Sequence, residues 1–117
     1  MNNINDFIKK GLIKFEERYV NDDVGVTILY FIAPKEILDG KYSDAESAEI
    51  SIECPTNHVE ANYATVAFSP TKYSEEDDCF SDYDWFDVDM PHDTIEALID
   101  LAPSSWKISD ERKIELY

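Results

Sequence analysis

The sequence predicts an α+β fold: a single small domain over 1–117, in which an antiparallel sheet of about four strands carries an N-terminal and a C-terminal helix on one face. Apolar residues recur at helical spacing near both ends of the chain, and segments with alternating apolar residues lie between them. No internal repeat or Pro/Gly/Ser-rich linker divides the 117 residues, so one domain is expected. A content of 44% apolar residues is enough for a hydrophobic core.

The first predicted element is an amphipathic helix that begins near Asn2 or Asn3 as its cap. Gly11 lies within it and costs roughly 1 kcal/mol relative to alanine, so the helix must depend on packing. Its apolar stripe consists of Ile4, Phe7, Ile8, Leu12, Phe15 and Tyr19.

Three strands are predicted after the turn signal at 21–23. The first, 24–32, is apolar on both faces and is therefore placed centrally, and Pro34 stops it. The second, 48–54, alternates like a strand with one solvated face. It directs Ala48, Ile50, Ile52 and Cys54 inward and Glu49, Ser51 and Glu53 outward, and the third strand, 62–70, directs Ala64, Val66 and Phe68 inward.

A loop over 70–82 and a fourth strand over 83–90 are predicted next. The strand directs Phe86, Val88 and Met90 inward and Tyr83, Trp85, Asp87 and Asp89 outward. The second helix has an apolar stripe and ends at Pro103, with Asp93 and Glu96 at the separation of a capping box. The stripe contains Ile95, Leu98, Ile99 and Ala102. The pattern leaves the conformations of 35–46 and 104–117 open.

The charge of the chain is strongly negative and unevenly distributed. The 26 acidic and 10 basic residues give a net charge of −16. Eleven of the acids, and none of the bases, lie in 73–106. Such a charge repels nucleic acids and anionic membranes, so we expect no direct contact with either. It steers the protein toward a basic surface, and a basic protein is the expected partner.

The segment 73–106 is predicted to carry the partner-binding surface. Carboxylates at alternate positions of a strand project from one side about 6.6 Å apart, roughly the spacing of neighbouring phosphates on a nucleic-acid strand. Aromatic side chains among the acids supply the rigid anchors that contribute much of the energy at interfaces. The candidate partner-binding residues are Glu75, Glu76, Asp77, Asp78, Asp82, Tyr83, Asp84, Trp85, Asp87 and Asp89.

These observations favour an acidic inhibitor that blocks a nuclease or a nucleic-acid-guided effector complex by presenting acids in place of phosphates. In composition and size the chain resembles phage-borne anti-defence proteins, among them anti-CRISPR and anti-restriction DNA mimics. An immunity protein that neutralises a toxic nuclease of its own cell lineage predicts the same surface. A housekeeping acidic domain, whose acids only keep it solvated, is a further alternative.

An enzyme is not expected, and no catalytic, cofactor-binding or metal-binding residues are assigned. The glycines at 11, 25 and 40 form no phosphate-binding loop, and no GxSxG elbow is present. The acids from Asp82 onward do not follow the EF-hand pattern, and Cys54, His58, Cys79 and His92 fit no zinc-ligand spacing. A metal-dependent enzyme or calcium-binding module stays an alternative of another class. The N-terminus lacks the pattern of a signal peptide, and a cytoplasmic location is expected.

Overall fold

The computed structural model describes residues 4–38, 45–74, 79–82 and 85–103, with the main chain alone for 72–74 and 79–82. These residues form a small α+β domain with an antiparallel sheet and two α-helices. The elements are α1 (Ile4–Lys9), β1 (Lys14–Asn21), β2 (Val26–Ala33), the 3-10 helix η1 (Lys35–Leu38), β3 (Ser47–Pro55), the 3-10 helix η2 (Ala61–Tyr63), β4 (Thr65–Ser74), β5 (Cys79–Asp82), β6 (Phe86–Val88) and α2 (His92–Ile99). Within these ranges no helix has the length and apolar character needed to cross a bilayer.

The sheet is five strands wide, in the order β1-β2-β3-β4-β5, and β6 also pairs with β4. β3 pairs along β4 from residue 65 to residue 71, so it occupies one edge of β4. β6 pairs with 66–68 and β5 with 71–74, so these two short strands lie end to end along the other edge. The prediction of about four strands was one strand too narrow.

The predicted long first helix is wrong, because the helix ends at Lys9 and β1 follows it. Gly11 adopts a φ of 73°, which favours glycine, and the chain reverses there. The N–H of Gly11 donates to the carbonyl of Ile8, and the N–H of Leu12 donates to the carbonyl of Phe7. This pair of hydrogen bonds is the Schellman motif that terminates many helices.

The predicted loop over 70–82 is also wrong, because β4 continues through Pro70 to Ser74 and β5 returns beside it. Proline lacks the N–H that a strand donates to its neighbour. Pro70 lies between the β4 residues that pair with β6 and those that pair with β5. Its missing donor therefore removes no hydrogen bond to either of these two strands.

The inward faces of the strands were predicted well. One hydrophobic core contains buried side chains from the sheet and from both helices. Phe86 and Val88 pack against it from β6, and Met90 is buried. The confirmed inward residues also include Ala48, Ile50, Ile52, Cys54, Val66, Phe68, Ile95, Leu98, Ile99 and Ala102. Ala64 is partly buried just before β4.

On β2 the core-facing residues are Thr27, Leu29, Phe31 and Ala33, so the alternate residues of this strand face outward. The strand was predicted to begin at Val24, but Val24 lies in the turn before β2 and is 67% exposed. Gly25 adopts a φ of 68° in that turn. β2 lies between β1 and β3, as expected of a central strand.

The predicted capping box at the start of α2 does not form. The N-cap residue is Pro91, which has no capping side chain, and the N–H groups of Thr94 and Ile95 donate to its carbonyl. Glu96 instead accepts a hydrogen bond of 3.0 Å from the main-chain N–H of Ala61. The carboxylate that the spacing assigned to a local cap therefore joins α2 to η2.

Candidate functional site

The outer face of the sheet, opposite the core, carries both aromatic and acidic side chains. Tyr19 is 49% exposed there, Ile32 44% and Trp85 40%. Strand alternation explains this face, because residues between the inward positions of each strand point to the other side. The outward residues nearest its centre are Ile28, Tyr30, Ser51, Glu53, Thr65, Ala67 and Asp87.

Four of these residues form a row across four strands. Tyr30 on β2 pairs with Ser51 on β3, Ser51 pairs with Ala67 on β4, and Ala67 pairs with Asp87 on β6. The two middle residues are small, and the end residues are larger. The row therefore has a low centre between two raised ends.

This low centre is part of a groove of about 250 Å³, which we call the outer-face groove. Ser51, Thr65 and Ala67 form its floor, because they have the smallest side chains around it. Its lining residues are Ile28, Tyr30, Ser51, Glu53, Thr65, Ala67, Trp85 and Asp87, and none of them is basic.

The rings of Trp85 and Tyr30 meet at one side of the outer-face groove. Their centroids are 6.1 Å apart and their planes are inclined by 56°. Trp85 lies just before β6, and β3 and β4 separate β6 from β2 in the sheet. The indole must therefore extend over these strands to reach Tyr30, and the small side chains of Ser51 and Ala67 leave room for it.

Two carboxylates stand at the groove, Glu53 on β3 and Asp87 on β6. Both residues are exposed, and neither forms an ion pair with a basic side chain in the described part of the chain. A strand separation of about 4.8 Å and a rise of about 3.4 Å per residue place their Cα atoms about 12 Å apart. Both carboxylates therefore contribute negative potential to the groove without contacting each other.

The structure brings only part of the predicted site together. Trp85 and Asp87 line the outer-face groove, and Asp89 is exposed beside a second depression of about 360 Å³ that Asp87 also lines. Asp82 ends β5, where its main chain pairs with Thr71. The other candidates, Glu75, Glu76, Asp77, Asp78, Tyr83 and Asp84, lie outside the described residues.

Tyr30 and Glu53 are neighbours of this site that the sequence did not assign to it. Glu53 was predicted to face outward, and Tyr30 lies in the predicted central strand 24–32. A signal was present, because the outward residues of 48–54 are polar, as are most of those of 83–90. Combining the two outward faces required the strand order, which brings β6 within two strands of β3.

Cys54 and His58, two of the residues considered as zinc ligands, lie in the described part of the chain. Cys54 is 1% exposed, and its burial raises the pKa of the thiol from 9.0 to about 11. His58 stacks on Tyr63, with ring centroids 4.7 Å apart, and lies 3.6 Å from a carboxylate oxygen of Glu60. Across the described ranges, no group of three or more His, Cys, Asp and Glu side chains is placed to hold a metal ion.

Comparison with known proteins adds no relative: no family model, no curated protein and no solved structure matches the chain significantly.

Proposed function

We propose that the protein is an acidic inhibitor that binds the basic surface of a nucleic-acid-acting protein, as anti-defence proteins of phages and mobile elements do. The net charge of −16 supports this proposal, because it accelerates encounter with a basic surface and repels nucleic acid. The partner is a nuclease or a nucleic-acid-guided effector complex, whose binding groove is lined with Lys and Arg.

The observation that carries the proposal is the outer-face groove. It places an aromatic pair, Trp85 and Tyr30, beside the carboxylates of Glu53 and Asp87 on an exposed face of the sheet. Aromatic side chains are the usual anchors of protein interfaces, and charges around them determine association rate and register. Acids that only solvate a protein require no such pairing with exposed rings.

We also infer that both helices cover the inner face of the sheet and leave the outer face to the partner. The buried residues of α1 and α2, among them Ile4 and Leu98, belong to the same core as the inward residues of the strands. A partner that docks on the outer face would then leave this core undisturbed. Binding requires no rearrangement of the fold on this view.

The mimicry of nucleic acid depends on the acidic segment as a whole. Asp87 and Asp89 lie two residues apart, and both line the second depression next to the outer-face groove. Glu75 to Asp78, Asp82 and Asp84 add six more acids to the same segment of the sequence. The proposed surface combines these acids with Trp85 and Tyr83, which would contact the apolar parts of basic side chains.

We propose binding and not catalysis as the activity. The buried Cys54 thiol has a raised pKa, which disfavours the reactive thiolate. Glu53 and Asp87 are exposed to solvent, whereas a catalytic acid is usually kept protonated by a desolvated site. Their arrangement suits recognition of a cation better than proton transfer.

The test is a pull-down from the native host and from cells that carry phage-defence systems, with the protein as bait and washes at low and at high salt. We expect a basic nuclease or nucleic-acid-guided complex to be retained at low salt, lost at high salt and displaced by DNA or RNA. Retention of a single nuclease of the same lineage, encoded beside this protein, would indicate the immunity-protein setting. Enrichment of no basic protein would overturn the proposal.

A matched pair of variants makes the test specific to the outer face. Glu53→Gln with Asp87→Asn removes two charges at the outer-face groove. Asp22→Asn with Asp23→Asn removes two exposed charges from the turn before β2. Both doubles change the net charge equally, so only a local contribution makes the first lose more of the partner than the second. Equal losses would show that binding depends on total charge and not on this face.

A further inference from the structure

The outer-face groove has the size of a site for one side chain. Its volume of about 250 Å³ lies below the roughly 300–1,000 Å³ of typical small-molecule pockets. Beside the Tyr30–Trp85 pair the groove is lined by Glu53 and the small Thr65, so an extended side chain can enter there from the solvent. A nucleotide or a drug-sized ligand would not be enclosed.

The chemistry of the lining selects a cation with an apolar stem. Glu53 and Asp87 are negative, Trp85 and Tyr30 present π faces, and Ile28 is apolar. A cation within about 6 Å of an aromatic centroid is attracted by the ring, most strongly by tryptophan. Among the described residues that line the groove none is basic, so none of them offsets this negative potential.

From these features we propose that the outer-face groove binds an arginine side chain of the basic partner; the identification of that partner as a basic protein rests on the proposed function. The guanidinium stacks on the exposed face of Trp85 and donates hydrogen bonds to the carboxylate of Asp87, while its methylene stem lies over Thr65. The rings of Trp85 and Tyr30 are too close, at 6.1 Å between centroids, for a guanidinium to be sandwiched between them. It therefore binds on the groove side of the pair.

Arginine fits this groove better than lysine. Its planar guanidinium stacks on aromatic rings, is weakly hydrated and offers two parallel donors to a carboxylate. A lysine ammonium is a compact and strongly hydrated charge, and it gains less from a flat aromatic wall. The groove would then recognise the positive charge of the partner and would also distinguish arginine from lysine.

The experiment is a titration of the intact protein with N-acetyl-arginine amide, followed by tryptophan fluorescence. The chain has two tryptophans, so Trp106→Phe isolates the signal of Trp85. We expect a saturable change with a dissociation constant on the order of millimolar, and a response at least about threefold weaker with N-acetyl-lysine amide. The neutral citrulline analogue is the matched control. A response to citrulline equal to that to arginine, or no saturable response to arginine, would overturn the proposal.

Two variants locate the binding. Asp87→Asn should weaken the arginine response by about tenfold, in line with the loss of a charge-assisted hydrogen bond. Ala67→Leu occupies the space into which the indole of Trp85 extends, without changing any charge, and should abolish the response. Asp23→Asn, remote from the groove, should leave it unchanged. A normal arginine response in Ala67→Leu would place the binding elsewhere and contradict the proposal.

The same variants separate this inference from the proposed function. If Ala67→Leu captures the basic partner as well as the unaltered protein does, the proposed function stands and the arginine site is wrong. If the unaltered protein binds the arginine probe in the groove but captures no basic protein, the arginine site stands and the proposed function is wrong.

Discussion

The side chain of Glu96 accepts a hydrogen bond of 3.0 Å from the main-chain N–H of Ala61, which lies 35 residues earlier in the chain. Ala61 is 5% exposed, so its N–H has little access to water as an alternative partner. A buried donor left unsatisfied costs about 1–3 kcal/mol. This bond is therefore a specific link between α2 and η2.

We predict that Glu96→Ala lowers the free energy of unfolding by about 1–2 kcal/mol, because it removes the acceptor. Glu96→Gln supplies an amide oxygen as acceptor at the same place, and its free energy of unfolding should fall by less than half as much. Asp93→Asn is the control on the same helix, and it should cost no more than about 0.5 kcal/mol through the helix dipole. Urea denaturation of the three variants measures all three values. If Asp93→Asn lowered the free energy of unfolding more than Glu96→Ala does, the predicted capping box would be supported and the structure contradicted.

The register of β2 makes a second prediction. Leu29 is fully buried, whereas Ile32 on the same strand is 44% exposed on the outer face. Leu29→Ala should therefore lower the free energy of unfolding by about 2–5 kcal/mol, through lost burial and the cavity that remains. Ile32→Ala removes a similar amount of hydrocarbon and should cost less than about 1 kcal/mol.

Chemical denaturation of these two variants tests the register, because a shift by one residue would exchange the faces of the strand. A larger loss for Ile32→Ala than for Leu29→Ala would show that the faces are assigned the wrong way round. Should Leu29→Ala be too unstable to study, Leu29→Met gives a smaller loss with the same sign.

The buried thiol of Cys54 predicts a loss of stability at alkaline pH. Its pKa is raised from 9.0 to about 11, mainly by desolvation; a backbone hydrogen bond at Glu60 lowers it, and the negative charges of Glu53, Glu96 and Glu60 raise it further. The folded state thus holds the proton when the unfolded state has released it. The contribution is fully present below pH 9 and is lost between about pH 9 and pH 11.

At pH 10 this linkage amounts to a loss on the order of 1 kcal/mol relative to pH 8. Cys54→Ala lacks the thiol, so its stability should fall by that much less over the same interval. Lysine and tyrosine ionisation affects both proteins equally and cancels in the comparison. Equal losses in the two proteins would mean that the thiol of Cys54 ionises as easily in the folded state as in the unfolded one.

Strands in which apolar and polar residues alternate strictly could be predicted from the sequence. Strands in which this alternation is interrupted could not. β3 alternates without a break, and its faces came out as expected. In β1 the pairing with β2 shifts between Phe15 and Glu17, so the strand no longer shows a period of two. Phe15 and Tyr19 then fall by chance on the helical stripe that begins at Ile4. Gly11 was the local signal that the helix had ended.

Of the candidate site, only the part contributed by a single segment of the sequence could be predicted. The outward direction of Trp85 and Asp87 follows from the alternation of their own strand. Their meeting with Tyr30 depends on which strands lie between β2 and β6, and also on the small side chains of Ser51 and Ala67. Strand order is a long-range property that no local pattern in one sequence specifies.

A last prediction separates a functional role of Asp87 from a structural one. Asp87 is exposed, and no ion pair ties it to a basic side chain among the described residues. In a protein with a net charge of −16, removal of one such acid relieves repulsion between like charges. Asp87→Asn should therefore leave the free energy of unfolding unchanged or raise it by up to about 0.5 kcal/mol, as Asp23→Asn should.

Binding of the basic partner should fall in Asp87→Asn and stay near normal in Asp23→Asn. A loss of stability of about 1 kcal/mol or more in Asp87→Asn would instead show that the carboxylate supports the fold, because an acid kept only for a partner contributes nothing to stability in the partner's absence.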